Sequence, residues 1–369
     1  MSQIKTINHT RGHSEYFKSI ITEKSRNFVG RDFVFSAINN FIQEYDRGYF
    51  TIIGEPGIGK SSIVAQYTNK NDNVVYYNFD PPQPPLVRGE DIVGKLPLVK
   101  SENNEIGDYE NFLEIVNYQL IEILASLDNN KLENELDDNS NLFSLLLQKI
   151  SDKLPQKQSL VIIIDSCHKL DLNQYKRGAN LLCLPRYLPQ NIYFILTRRP
   201  FPRDKSSLLI ETPAQTLDLS IYPEQNQLDI QTYLKQHLEN YPHDQQLLTK
   251  IDASETNFMY VSEILKQPKL PQETLPQNLH KYYQEHLNKM TISIDKWPTI
   301  SPQILQFLLQ QESSVSLEII SETLDEDQYD IQIVLEQWRE FFHVETIEEQ
   351  SYYRLYHPSF SNWLKQQLT

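Results

Sequence analysis

The amino-acid sequence predicts an α/β module built on a parallel sheet, followed by a mainly helical region. Three observations carry this reading. A glycine-rich loop with a fixed residue pattern sits between an apolar, β-rich run and a helix-compatible segment near residue 50. Up to about residue 210, apolar runs alternate with amphipathic helical patterns, the arrangement that gives βαβ units. All ten glycines lie at or before Gly178, and the 191 residues after it hold none and are rich in Leu, Gln and Glu.

The first element is the strand entering the loop: Tyr49, Phe50, Thr51, Ile52 and Ile53. Gly54-Glu55-Pro56-Gly57-Ile58-Gly59-Lys60-Ser61 then fits the phosphate-binding pattern G-x-x-x-x-G-K-[ST] at every fixed position, and Ser62 to Tyr67 continue as a helix. Three of the chain's ten glycines fall inside these residues. Glycines let the backbone wrap a polyphosphate with its N–H groups, and the helix N-terminus adds a favourable dipole. Lys60 is placed to reach the β- and γ-phosphates and the Ser61 hydroxyl to ligate Mg²⁺, so Gly54 through Ser62 form the predicted nucleotide cradle.

Four further strands are expected at 74–79, 159–165, 191–197 and 207–210, with helices on the periodic residues Phe112, Ile115, Val116, Leu120, Ile123 and Leu124, and Leu142, Leu146 and Ile150. Between the second strand and the first of these helices, a Pro-rich insert at about 81–107 reads as a surface loop, with a polyproline docking ligand as the alternative. The acidic run from Asp128 to Asn139 reads as a solvated linker. The run Ser159 to Ile164 ends in Asp165, which puts a carboxylate at the C-terminal edge of a buried strand. There Asp165 can hold the Mg²⁺ hydration shell beside Ser61. The run Asn191 to Leu196 continues into Thr197-Arg198-Arg199-Pro200. Its arginines are placed to reach a γ-phosphate or the Asp165 carboxylate, or else form a surface pair near an anionic rim.

Composition sets what is excluded. The chain has 369 residues, 22% of them charged, and no run approaching the ~18 apolar residues of a membrane helix. Its N-terminus lacks the apolar core of a signal peptide, and Cys167 and Cys183 read as reduced core residues of a cytoplasmic protein. A net charge of −15 argues against nucleic acid or an anionic membrane as partner.

The order of motifs resembles the STAND class of P-loop NTPases, AAA+-related signal transducers that include the NACHT and AP-ATPase families. Phe28-Val29-Gly30-Arg31-Asp32 is similar to the F-x-G-R-[ED] motif that helps frame the adenine pocket, which implies cofactor contacts for Gly30 and Arg31. Thr197 to Pro200 is similar to the T-S-R-P sensor strand, with Arg199 on the arginine position. Asp229, Ile230, Tyr233 and Leu234 are similar to the start of the helical domain, Asn257-Phe258-Met259-Tyr260 to G-N-F-L-Y, and Leu275 to Leu279 to L-P-x-G-L. Tyr353 to Phe360 resembles the F-x-H-x-S-F element of a terminal winged-helix domain, which implies that His357 contacts the β-phosphate of ADP; the residues alone read equally as a histidine packing the last helix.

The resemblance implies a P-loop nucleotide domain at 25–210 behind an extension at 1–24, a helical domain at 211–295 and a winged-helix domain at 296–369. It further implies an ATP/ADP-binding switch with slow hydrolysis, with Lys60, Asp165 and Arg199 in the catalytic roles. ADP would close it, and ATP would open it for protein partners, including a second copy of the chain. The sequence departs from the class at the second acidic motif: Asp165-Ser166-Cys167-His168-Lys169 lacks both trailing acids, so no carboxylate follows Asp165 to polarise a water. A nucleotide-bound module that does not hydrolyse ATP is therefore one alternative. An AAA+ DNA loader of the origin-recognition type is another, and charge argues against it: from Ser301 to Thr369 three basic residues face twelve acidic ones, a net −9.

Overall fold

The computed structural model describes residues 15–79, 108–127, 139–167, 184–200, 210–241, 251, 255–266, 277–294, 300–311, 313–347 and 350–368. The Pro-rich insert, most of the acidic run, Cys183 and the residues from His168 to Asp171 lie outside them.

Five strands build one sheet: β1 (Gly48–Ile53), β2 (Val74–Asn78), β3 (Leu160–Asp165), β4 (Ile192–Arg198) and β5 (Ala214–Asp218). Their order is β2-β3-β4-β1-β5 and every pairing is parallel. The first four occupy the expected positions because each is a continuous apolar run, and a parallel sheet covered on both faces buries both sides of its strands. The strand expected at 207–210 falls mostly outside the described residues, and the fifth strand of the sheet is β5. Residues 207–209 lie outside the described set, Ile210 is not in a strand, and β5 pairs with β1 from Ala214 onward. β5 is a half-exposed edge strand of sequence Ala-Gln-Thr-Leu-Asp, so it lacks the apolar run that marks the others. The sheet thus extends past the expected break near residue 210.

The helices α3 (Lys60–Lys70), α4 (Asp108–Leu127) and α5 (Asn139–Lys153) follow the strands. The periodic positions Phe112, Val116, Leu120, Ile123 and Leu124 of α4, and Leu146 and Ile150 of α5, are buried as the spacing requires. One polar residue of α4 also goes inward. Gln119 accepts from the Tyr76 N–H (3.1 Å) and donates to the Tyr76 carbonyl (3.0 Å), satisfying the free edge of β2 from the side.

Before the sheet come α1 (Glu15–Ser25) and α2 (Asp32–Glu44). α1 is not an extension outside the nucleotide domain. Phe17, Ile20 and Ile21 are buried in the same core as the sheet, and the Phe17 ring meets Tyr76 and Tyr77 edge-on at 5.6 and 5.9 Å.

Beyond the sheet lie α6 (Pro223–Asn240), α7 (Phe258–Lys266) and α8 (Gln277–Ile294). The chain ends in α9 (Ile300–Gln310), β6 (Val315–Ser316), α10 (Leu317–Leu324), α11 (Gln328–Gln337), β7 (Phe342–Ile347), β8 (Gln350–Leu355) and α12 (Pro358–Leu368). β6, β8 and β7 form a small antiparallel sheet in that order, so beyond β5 the described residues are helical with one small sheet inserted. The buried apolar side chains fall into three clusters. One runs from Phe17 to Leu219, a small one joins Ile230, Ile251 and α7, and the third runs from Leu279 to Leu364. Leu279, Tyr283 and Met290 of α8 belong to this third core, although the expected boundary at 295 assigns α8 to the helical domain.

Because Phe17 is 2% exposed and packs on the sheet, Phe17→Ala should destabilise the nucleotide module by about 3–5 kcal/mol. Chemical denaturation checks this; a loss below about 1 kcal/mol would mean that α1 is only loosely attached.

Candidate nucleotide-binding site

The site is assembled at the C-terminal ends of β1, β3 and β4, where open parallel sheets bind ligands. β1 delivers Gly54 and α3 begins at Lys60, so the predicted phosphate loop spans the strand-to-helix turn. Gly57 and Gly59 have φ of +81° and +100°, a left-handed backbone that other residues avoid. This is the local reason for glycine at those two positions. A cavity of about 760 Å³ opens above the loop. Pro56, Gly57, Gly59, Lys60, Ser61 and Ser62 form its floor.

Lys60 is buried at the head of α3, and its Nζ donates to the carbonyl oxygens of Gly54 (2.7 Å) and Glu55 (2.9 Å). Burial, aided by the nearby Arg199 charge, pushes its pKa down to about 7. Asp165 ends β3 fully buried, directly behind the cavity wall. Its carboxylate accepts from Tyr76 Oη (3.1 Å), Thr197 Oγ1 and the Ser61 hydroxyl. Burial raises the Asp165 pKa, and the hydrogen bonds from Thr197, Ser61 and Tyr76 pull it back. Strand adjacency of β3 and β4 brings Asp165 and Thr197 together, and the loop contributes Ser61. Ser166, next after Asp165, lines the cavity with φ +64° and donates its N–H to Thr197 Oγ1 (2.9 Å).

The Ser61–Asp165 pairing fits Mg²⁺. Among the described residues no three His, Cys, Asp or Glu side chains converge on a metal position. Mg²⁺ commonly takes one or two protein ligands, with the rest from phosphates and water. Ser61 and Asp165 are the residues that would hold it, and the ion would supply charge neutralisation of the phosphates.

Residues beyond the sheet cover the loop. Asn257 donates from Nδ2 to the Pro56 carbonyl (2.9 Å), and the Met259 N–H donates to the Gly57 carbonyl (3.0 Å). A Cβ on Gly57 would stand 2.3 Å from Asn257 Oδ1, so this glycine is required by a neighbour as well as by φ. Arg31, placed by resemblance at the adenine pocket, does line the cavity, and its guanidinium is also tied to partners inside the protein. Its guanidinium donates to the Ile58 carbonyl (2.5 Å) and to Asn226 Oδ1, lies 3.6 Å from Asp229 and covers the Phe258 ring at 4.7 Å. Burial lowers the Arg31 pKa to about 10 while Asp229 works against the fall. Gly30, with φ +62°, leaves room for Asp229; a Cβ there would meet Oδ1 at 1.9 Å.

Arg199 also lines the cavity, but its partners are Glu340 Oε2 (2.8 Å), Tyr282 Oη (3.5 Å) and His286 Nε2 (3.4 Å). Burial opposes its charge, yet Tyr282 and Glu340 leave its pKa raised. Glu55 of the loop pairs with His343 Nδ1 of β7. His357 does not line the cavity. Its Nε2 meets Glu255 Oε2 (3.0 Å), and its Nδ1 accepts from the Ser359 N–H (3.1 Å) at the start of α12. The ring lies 4.9 Å from that of Tyr260. The histidine touching the phosphate loop is therefore His343, which no motif singled out, and Asn226, Glu255, Tyr282 and Glu340 were equally without a sequence signal.

Residues 27–195 match the AAA ATPase domain family, and this segment is an AAA+-related P-loop NTPase domain. No curated protein matches the sequence. Among solved structures the chain is similar to a STAND protein (signal transduction ATPase with numerous domains) with a tetratricopeptide repeat sensor from Pyrococcus horikoshii, at 16% identity and TM-score 0.33. That match covers 93% of this chain and 44% of the other, so the chain spans less than half of that protein's length. It is similar to Drosophila ORC bound to DNA at 13% identity and TM-score 0.35, covering 95% and 98% of the two chains. For Cdc6p from Pyrobaculum aerophilum the identity is 10%, the TM-score 0.35 and the coverage 95% and 99%.

Gly57→Ala should lower stability by on the order of 1–3 kcal/mol and weaken ADP binding, because φ +81° and Asn257 both exclude the methyl group. Adding Asn257→Ala removes the clash but not the backbone strain, so the double variant should recover only part of the stability in a denaturation cycle.

Proposed function

We propose that this chain is an ATP/ADP-binding switch of the STAND type, in which nucleotide controls whether the helical and C-terminal parts stay docked on the phosphate loop. The observation that carries the reading is the set of ties converging on that loop. Asn257 and Met259 bond the carbonyls of Pro56 and Gly57, Arg31 joins the Ile58 carbonyl to Asn226 and Asp229, and His343 pairs with Glu55. A loop that must wrap phosphates is thereby linked to every other part of the chain. A ligand that prefers one arrangement shifts the equilibrium by its differential affinity.

The cavity suits a nucleotide at both ends. Lys60, Ser61 and Arg199 offer charge and a hydroxyl at one end; Phe28, Val29 and Phe258 offer apolar surface for a base elsewhere in it. In this proposal the terminal helices with the sheet β6-β8-β7 are the winged-helix domain, and the open state assembles with a protein partner or a second copy. Hydrolysis is slow, since His168 and Lys169 stand in place of the two trailing acids and no carboxylate follows Asp165 to polarise the attacking water.

The second reading, a module that binds nucleotide without hydrolysing it, is favoured by that same lack of trailing acids after Asp165. The DNA-loader reading has no comparable support, because the C-terminal segment carries three basic residues against twelve acidic ones.

The test is to purify the chain without added nucleotide, denature it and quantify what is released. Near-stoichiometric ADP is expected, and Lys60→Ala should emerge empty with ADP affinity reduced at least about 100-fold, the loss of roughly two tenfold steps of binding energy. A wild-type protein that is empty and fails to bind millimolar ADP in calorimetry would overturn the proposal. Turnover that vanishes in Lys60→Ala and Asp165→Ala would eliminate the non-hydrolysing reading.

A further inference from the structure

The segment Glu340 to His343 places two side chains of the C-terminal part on the nucleotide site at once. Glu340, in the 3₁₀ turn Arg339–Phe341, reaches Arg199; His343, on β7, reaches Glu55 of the phosphate loop. Arg199 is 5% exposed and lines the same cavity as Lys60, Ser61 and Thr197. Both it and Lys60, the residue type that meets the β- and γ-phosphates, line this cavity, and its charge is felt at Lys60, so the guanidinium lies at the phosphate end.

A buried arginine makes its strongest bonds to anionic oxygens. Here the oxygen is Glu340 Oε2 at 2.8 Å, and Lys289 stands 3.5 Å from the other oxygen of the same carboxylate. We infer that Glu340 is a specificity-determining residue, whose carboxylate competes with a third phosphate for Arg199 and so biases the docked form toward a nucleoside diphosphate over a triphosphate. A diphosphate stops short of Arg199 and leaves the ion pair whole. A triphosphate brings new anionic oxygens against Glu340, and like charges in a poorly solvated site repel strongly. Binding of the triphosphate therefore requires Glu340 to leave. Because Glu340 and His343 share one turn-to-strand segment, its departure also draws His343 from Glu55 and frees the loop from the C-terminal part.

The inference rests on the cavity being a nucleotide site, and the experiment separates the two. On the full chain, dissociation constants for ADP and for a non-hydrolysable ATP analogue, both with Mg²⁺, are measured by calorimetry for wild type, Glu340→Gln and Glu340→Asp. Glu340→Gln keeps the shape and removes the charge, whereas Glu340→Asp keeps the charge and withdraws it by one methylene. Both variants should favour the triphosphate, with Glu340→Gln shifting the triphosphate-to-diphosphate affinity ratio by about tenfold while ADP affinity stays within about twofold. In an Arg199→Ala background the Glu340→Gln shift should disappear, which a merely structural role for Glu340 would not produce. An unchanged ratio in both variants, or equal movement of both affinities, overturns the inference and leaves the site intact. Failure of the wild type to bind either nucleotide overturns the site and the inference together.

Discussion

A buried guanidinium cannot be left without partners, and Arg31 is the buried charge on which the arrangement of the first two parts depends. It stands with φ +64° ahead of α2, 2% exposed, and no single element satisfies it. The phosphate loop gives a carbonyl at Ile58, α6 gives Asn226 and Asp229, and α7 gives the Phe258 ring. Separating these elements would strand a charge whose desolvation cost is several kcal/mol, so α6 and α7 are held over the loop by the chemistry of one side chain. Asp229 fixes the turn as well, accepting the Arg31 N–H at 3.1 Å.

Arg199 plays the equivalent part for the C-terminal region. It leaves the sheet just past β4, close to Thr197 and Asp165, yet its ion-pair partner comes from the far side of the site, at Glu340. The two arginines thus tie the loop and sheet edge to different neighbours, one through α6 and α7, the other through α8 and the turn before β7. Both are also cavity walls. A residue that closes the protein and lines the ligand site couples the two by geometry, without any long relay of contacts.

The sheet was legible because its physics is local. β1 to β4 are apolar runs that a doubly covered parallel sheet requires, and the loop after β1 has a residue pattern dictated by phosphate geometry. β5 was not legible, since Ala214 to Asp218 is a polar edge strand recognised only by its pairing with β1. The placement of α1 was missed for a related reason: a short helix has no sequence mark saying which core it joins, and Phe17 finds Tyr76 and Tyr77 only in three dimensions. In the site, Lys60, Ser61 and Asp165 stand where spacing put them. Arg31 and Arg199 both line the cavity, but their partners Asn226 and Glu340 are distant in sequence and ordinary in type. His357 drew attention by its motif, while the histidine at the loop, His343, sits in an unremarkable strand.

One electrostatic constraint connects these features. The three buried cations that line the cavity already have protein oxygens for company: Lys60 has the Gly54 and Glu55 carbonyls, Arg31 has Asp229 and Asn226, Arg199 has Glu340. Burial, with Arg199 nearby, holds the Lys60 pKa down to about 7 against the pull of Asp165, Glu55 and Asp218, so that end of the cavity is poorly solvated. A polyphosphate reaching these three groups would replace internal partners, and some of those partners are ties between parts of the chain. Carbonyl partners at Lys60 lie within the loop and are surrendered without moving a domain, whereas the carboxylate on Arg199 is anchored in the C-terminal core. Under the proposed competition at Glu340, the number of phosphates in the ligand would set how far the displacement reaches, from the loop alone to the packing of the C-terminal part.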